Sequence, residues 1–109
     1  GAVAEAVTLC EKSGTNPSKM IKALSGGWAD SKILQTHGKR MINKDFSPKG
    51  KTSTQLKDMT NIINAGKAAE LHLPISSLIK EMYKNLVKEG HGNTDHSSLY
   101  NEINKLNKK

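Results

Sequence analysis

Apolar residues in this chain return at intervals of three and four, and almost nowhere at intervals of two. In the stretch QLKDMTNIINAG, Leu56, Met59, Ile62, Ile63 and Gly66 share one side of a 3.6-residue helix. The same spacing links Val3, Ala6, Val7 and Cys10, then Met20, Ile21 and Leu24, then Ile33, Leu34, His37, Met41 and Ile42. It returns in Leu78, Ile79, Met82, Tyr83 and Leu86, and again in Leu99, Ile103 and Leu106. Stripes of this kind bury helices against helices and leave no alternating face for a sheet. The prediction is an all-α bundle of about six helices, with residues 1–109 forming one domain. Composition agrees: only four of the 109 residues are Phe, Trp or Tyr. A core of Leu, Ile, Val, Met and Ala suits packed helices better than a β-sandwich.

Punctuation sets the boundaries. The first helix runs from about Ala2 to Lys12, with Gly14 just past its end. Asn16 is placed to cap a second helix whose first position is Pro17, where a missing N–H costs nothing. Gly26-Gly27 closes it. A third helix is predicted over Ala29–Ile42, with Asp30 or Ser31 in the first turn. The polar run NKDFSPKGKTST is the one long loop expected, and such loops often carry function. Thr52 and Gln55 have capping-box spacing, which starts the next helix near Ser53 and carries it to about Leu71. Pro74 opens a helix ending at Lys88, and Asp95 caps the last one. The chain opens in mid-helix without a cap, which reads as a cut end.

The net charge is +7. Lysines lie on every segment, as on a solvated surface, but Lys39, Arg40, Lys44, Lys49, Lys51 and Lys57 form a denser patch around the loop. A phosphate-bearing ligand is the alternative to plain solvation there. No aromatics interleave with these charges, so RNA or DNA binding has no motif behind it. No apolar run nears the roughly 18 residues of a membrane span. The lone Cys10 can form no intrachain disulfide, and no signal peptide is visible. A reducing compartment is expected, the cytoplasm or, in a eukaryote, the mitochondrial matrix.

Chemistry is sparse. His91 and His96 flank a glycine turn, but no cluster of Cys, Asp or Glu completes a ligand set, so no metal site is expected. Cys10 has apolar neighbours and should pack as a small hydrophobe. No Gly-rich strand-to-helix turn and no nucleophile–His–acid grouping appears, so no catalytic residue is assigned within the chain. Lys57 and Asp58 are the exception in interest. They sit beside the basic loop, at the edge of the stripe of the fourth helix. From there a lysine stem can lie on apolar surface while its ammonium reaches an anionic ligand.

The order AEAVTLCEKSG, ALSGGWADS, HGKRMINKDFSP, QLKDM and LHLPISSLIKEMYKNLVKEGHGNTDHSSL resembles the C-terminal domain of the β-hydroxyacid dehydrogenases. This family includes 3-hydroxyisobutyrate dehydrogenase and tartronate semialdehyde reductase. The resemblance spans nearly the whole chain. Its most specific elements are Lys57-Asp58-Met59, Leu73-Pro74 and the GHGNTDHSSL ending. It implies an enzyme with a Rossmann domain, absent here, that binds NAD or NADP, and a helical domain that closes the cleft and carries subunit contacts. It implies that Lys57 is cofactor-binding, with Asp58 supporting it, and that the lysine acting as general acid/base lies upstream of residue 1, so the fragment alone is inactive. A small β-hydroxyacid substrate and a homo-oligomer follow from it, with neither nucleic acid nor membrane as a partner. The other reading is a stand-alone basic helical module that binds nucleic acid or an acidic protein. One departure stands out. Many members carry Pro-Gly-Phe before this helix, and aligning back from Lys57 puts Gly50 in the aromatic's place. A smaller, more polar wall there would suit a bulkier or more hydroxylated substrate, such as a sugar acid.

Overall fold

The computed structural model describes residues 1–108. It contains six α-helices and, among the described residues, no strand: α1 (Ala2–Lys12), α2 (Pro17–Leu24), α3 (Lys39–Asn43), α4 (Thr52–Ala68), α5 (Pro74–Lys88) and α6 (Leu99–Leu106). A π-helical segment, Leu34–Gly38, runs directly into α3, and a 3₁₀ turn, His96–Ser98, runs into α6. The all-α bundle read from the spacing is what forms. Its core is Ala4, Val7, Met41, Met59, Met82, Tyr83, Leu86, Leu99, Tyr100 and Ile103, with Val3, Leu56 and Ile79 packed against it. Leu86 is almost fully enclosed, and cutting it to Ala would cost about 2–5 kcal/mol. Helices α4 and α5 form the main hairpin. Their connection is tight because Leu73 lies on Gly66, where an added Cβ would come within 2.9 Å of Leu73 Cδ1.

Four stripes bury less than their spacing suggests, those of Ile33 and Leu106 by one exposed residue each. Ile75 and Leu78 on the first turns of α5 stand in solvent, as does nearly half of Ile62 on α4. The hairpin carries these positions past the helices that cover Met82, Tyr83 and Leu86.

Boundaries moved where side chains took over backbone work. The third helix starts at residue 32, not 29, because Asp30 accepts from the amides of Gly26 and Ser31, and the Ser31 hydroxyl accepts from Leu34 N at 2.8 Å. These are turn and cap bonds, and they hold the chain out of a helix until they are made. The capping box at Thr52 and Gln55 does not form. Lys51 occupies the cap position without a side-chain bond, and the first amides of α4 donate instead across the fold, Thr52 N to Thr94 O and Ser53 N to Gly92 O, both at 2.9 Å. At its other end α4 stops at Ala68 rather than Leu71. Leu71 N bonds Gly66 O and Glu70 N bonds Lys67 O, a Schellman closure with Glu70 at φ 58°. Gly14 makes the same closure after α1 with a glycine, which is why only that end was readable.

Candidate functional site

The loop between α3 and α4 is polar, yet it is held firmly, and two side chains hold it. Arg40, on α3, donates from Nε to Asp45 O at 3.0 Å and from a terminal nitrogen to Ser47 O. Asp95 enters from the far side of the bundle, 1% exposed. Its Oδ1 accepts from the amides of Lys49 (3.1 Å) and Gly50 (3.0 Å), and its Oδ2 from the amide (3.0 Å) and hydroxyl (2.5 Å) of Ser97. Arg40 Nη1 stands 3.7 Å from Asp95 Oδ1. Backbone bonds complete the seam: Asp95 N to Phe46 O, His96 N to Gly50 O, and an isolated antiparallel bridge between Lys51 and Asp95. Asp95 caps the turn into α6, as the sequence indicated, but it also fixes a loop that lies half the chain away.

These contacts set the electrostatics. Burial pushes the Asp95 carboxyl up, but the Ser97 hydroxyl and the amides of Gly50, Ser97 and Lys49 outweigh it and hold the group well below the usual carboxylate range. The Tyr83 phenol, which donates to His96 O at 3.3 Å, is pushed up to about 12 by burial and by the Asp95 charge.

Beside this junction opens a cleft of about 530 Å³, lined by Gln35, Thr36, His37, Lys39, Arg40, Lys49, Gly50, Asp95 and His96. His37 comes from the π-helical segment, whose wider turn is a feature frequent at functional sites. Its ring meets that of His96 edge to face, with centroids 4.6 Å apart. Desolvation lowers the His37 pKa, and His96 lowers it further against an opposing pull from Asp95. His91, across the glycine turn from His96, is exposed, and the imidazole beside His96 comes instead from the π-helical segment before α3. Ligand atoms of His37, Asp95 and His96 lie within 4.8 Å of one another. No sequence spacing announces this trio, because the loop and the bundle, not one helix, bring it together.

Gly50 lies against His96. A Cβ at position 50 would come within 2.9 Å of His96 Cδ2, so the imidazole fills the space a side chain would take. Position 50 therefore leaves no gap: an imidazole ring stands where a side chain would be.

Lys57 and Asp58 lie in the second turn of α4 and both are exposed, turned outward rather than at the margin of the buried face held by Thr52, Met59, Ile63 and Gly66. Among the described residues neither takes part in an ion pair. The basic patch is divided in its roles. Arg40 clamps the loop; Lys44 pairs with Glu11 at 2.8 Å and lies over the Tyr100 ring; Lys39, Lys49, Lys51 and Lys57 are exposed. Cys10 is free and half-buried.

A protein-family model described as NAD-binding of NADP-dependent 3-hydroxyisobutyrate dehydrogenase matches residues 1–103. The chain belongs to this family. It is 37% identical over 98 residues to 2-hydroxy-3-oxopropionate reductase of Escherichia coli (strain K12), a match covering 90% of this chain and 34% of the relative. The fold is that of the solved 3-hydroxyisobutyrate dehydrogenase of Salmonella typhimurium (TM-score 0.84, 22% identity, 92% of this chain and 35% of that one). It is also that of the Mycobacterium tuberculosis enzyme solved with L-serine (TM-score 0.83, 23% identity, 94% and 37%). The chain thus spans about a third of the length of the relatives it matches. No helix in the described residues is long and apolar enough to cross a membrane.

Proposed function

We propose that this chain is the helical part of an NAD(P)-dependent hydroxyacid dehydrogenase, forming one wall of the cleft in which substrate and cofactor meet. The observation that carries the reading is the family match over residues 1–103, which takes in the whole of α4 and its Lys57-Asp58 pair. The residues fit the cofactor's chemistry. Lys57 is exposed on the second turn of α4, and its ammonium is a triple donor suited to the carboxamide and ribose oxygens of a nicotinamide nucleotide. Bound there, the nicotinamide would take or give the hydride at the hydroxyl-bearing carbon. This chain's contribution is to hold that ring, with Asp58 beside Lys57 in support, while Asp95 and Arg40 keep the loop between α3 and α4 in one shape. The proton moves through a lysine outside these 109 residues, on a Rossmann-containing part of the polypeptide. The apolar residues left in solvent, Ile75, Leu78 and Leu106, are surface suited to that part or to a second subunit.

The test is NAD(P)H oxidation with 2-hydroxy-3-oxopropionate by the full-length gene product and its Lys57→Ala variant. The expected result is turnover by both, with KM for the cofactor raised about tenfold in the variant, the cost of one charged hydrogen bond. Turnover with an unchanged KM removes Lys57 from the cofactor site; no turnover with any short hydroxyacid or its oxidised form removes the enzyme reading. Salt-sensitive retention on nucleic acid in place of turnover is the result expected of a basic binding module.

A further inference from the structure

The cleft at His37 and His96 is more built than a wall requires. Two half-buried rings face each other, and among the described residues no protein group hydrogen-bonds a ring nitrogen of either. They are held in place from behind, His96 by its amide on Gly50 O and by Tyr83 on its carbonyl, and His37 by the π turn. The absent side chain at position 50 leaves the space that the His96 ring occupies. The volume, about 530 Å³, falls within the roughly 300–1,000 Å³ of small-molecule sites.

Two ligand classes fit paired imidazoles. A divalent transition metal would use His37, His96 and Asp95. Asp95 is poorly available for that: both its oxygens are taken by four donors, and the Arg40 guanidinium stands 3.7 Å away. Lys39 and Lys49 add positive charge to the same cleft. A cation entering meets repulsion and a carboxylate without free lone pairs, whereas an anion is drawn in. Hydroxyl groups suit the rings as well, because a neutral imidazole offers one donor and one acceptor and a hydroxyl offers the complement of both.

We propose that this cleft is a subsite for a polyhydroxylated carboxylate, with His37 and His96 reading its hydroxyls and Lys39 and Lys49 drawing its acid end. The proposal takes from the dehydrogenase reading only the expectation that such an acid is substrate; the binding itself rests on the cleft.

The experiment is an NMR titration of the isotope-labelled 109-residue chain at pH 7.5, following the histidine ring signals. The probes are D-gluconate, 3-hydroxyisobutyrate and zinc chloride, each added alone. Gluconate is expected to shift the His37 and His96 rings saturably and to bind at least about tenfold more tightly than 3-hydroxyisobutyrate, which lacks the extra hydroxyls. His37→Ala with His96→Ala should lose that preference while the amide spectrum of α4–α6 persists. If that variant unfolds, Lys39→Gln with Lys49→Gln, both at exposed positions, should weaken gluconate binding severalfold. Equal affinity for the two acids, no saturation, or gluconate binding unchanged in whichever variant folds overturns the proposal. So does tight zinc binding at the two rings with no response to gluconate, which makes the trio a metal site. No cofactor enters this titration. Gluconate binding by a full-length protein that turns over no hydroxyacid or its oxidised form refutes the dehydrogenase reading and leaves the subsite standing; turnover of a hydroxyacid without gluconate binding does the reverse.

Discussion

Asp95 and Lys57 sit at opposite extremes of the same small protein. Asp95 is sealed in, its two oxygens taken by amides and a hydroxyl from residues on either side of the bundle. Lys57 stands in solvent on α4 without an ion-pair partner among the described residues. A fixed, saturated carboxylate can only organise protein, because nothing is left on it to offer a ligand. An unpaired surface ammonium adds almost nothing to the fold and keeps its whole hydrogen-bonding capacity for a partner. Buried polar groups thus point to architecture here, whereas Lys57 and the two imidazoles, idle within the fold, are the groups on which the proposed binding roles rest.

The sharpest way to break this contrast is Asp95→Ala. It would leave three amides and a hydroxyl without acceptors in a closed junction and take from Arg40 the buried one of its two carboxylate neighbours, leaving Asp45. The expected loss is about 3–5 kcal/mol, as for removing one partner of a buried ion pair. At roughly 4–8 °C per kcal/mol for a domain near this size, the thermal midpoint followed by far-ultraviolet circular dichroism should fall by about 15 °C or more. A shift of only a few degrees would mean the loop is held by its backbone bonds alone.

Acid should find the same group next. The Asp95 pKa is depressed in the folded state against an ordinary value of 3.8, so the unfolded chain takes up the proton first as pH falls. Its contribution is therefore complete above about pH 4 and drains away below, as pH falls toward the depressed folded value. His37 adds a smaller step. Its folded pKa lies below the ordinary 6.5, so the unfolded state again binds the proton first, and stability slips as pH drops through that value. Urea midpoints measured from pH 8 to pH 3 should show a slight decline near pH 6.5 and a steep one below pH 4. Asp95→Asn should flatten the steep arm and His37→Gln the slight one. An arm that persists in its own variant belongs to another group.

Much of this was legible in the chain because it is local. Apolar spacing gives helices, Asn16-Pro17 gives the start of α2, where Asn16 Oδ1 accepts from Ser18 N at 2.8 Å, and Gly14 gives the end of α1. What escaped was long-range or unorthodox. The first turn of α4 is satisfied by the carbonyls of Gly92 and Thr94, which no local pattern near Thr52 reveals. Glu70 takes a left-handed turn that glycine usually announces. The meeting of His37 with His96 depends on a π-helical turn in one place and on Gly50 lacking a side chain in another. Lys57 is the reverse case: the triplet Lys57-Asp58-Met59 drew attention through its resemblance to a family motif, and its surroundings in the fold add only that it is exposed and unpaired.

That exposure makes the smallest predicted effect the most telling one. Lys57→Ala removes no buried contact, substitutes the best helix former and relieves a slightly unfavourable charge near the positive end of α4, effects of a few tenths of a kcal/mol each. The urea midpoint of the variant should match the parent within about 0.5 kcal/mol, the usual range for an exposed position free of special contacts. A loss above about 1 kcal/mol would mean the lysine stem packs on the bundle, and a change in cofactor KM would then have a structural cause. Unchanged stability together with a raised cofactor KM in the full-length protein separates the two roles that Asp95 and Lys57 represent, because a residue that supports only the fold cannot produce that combination.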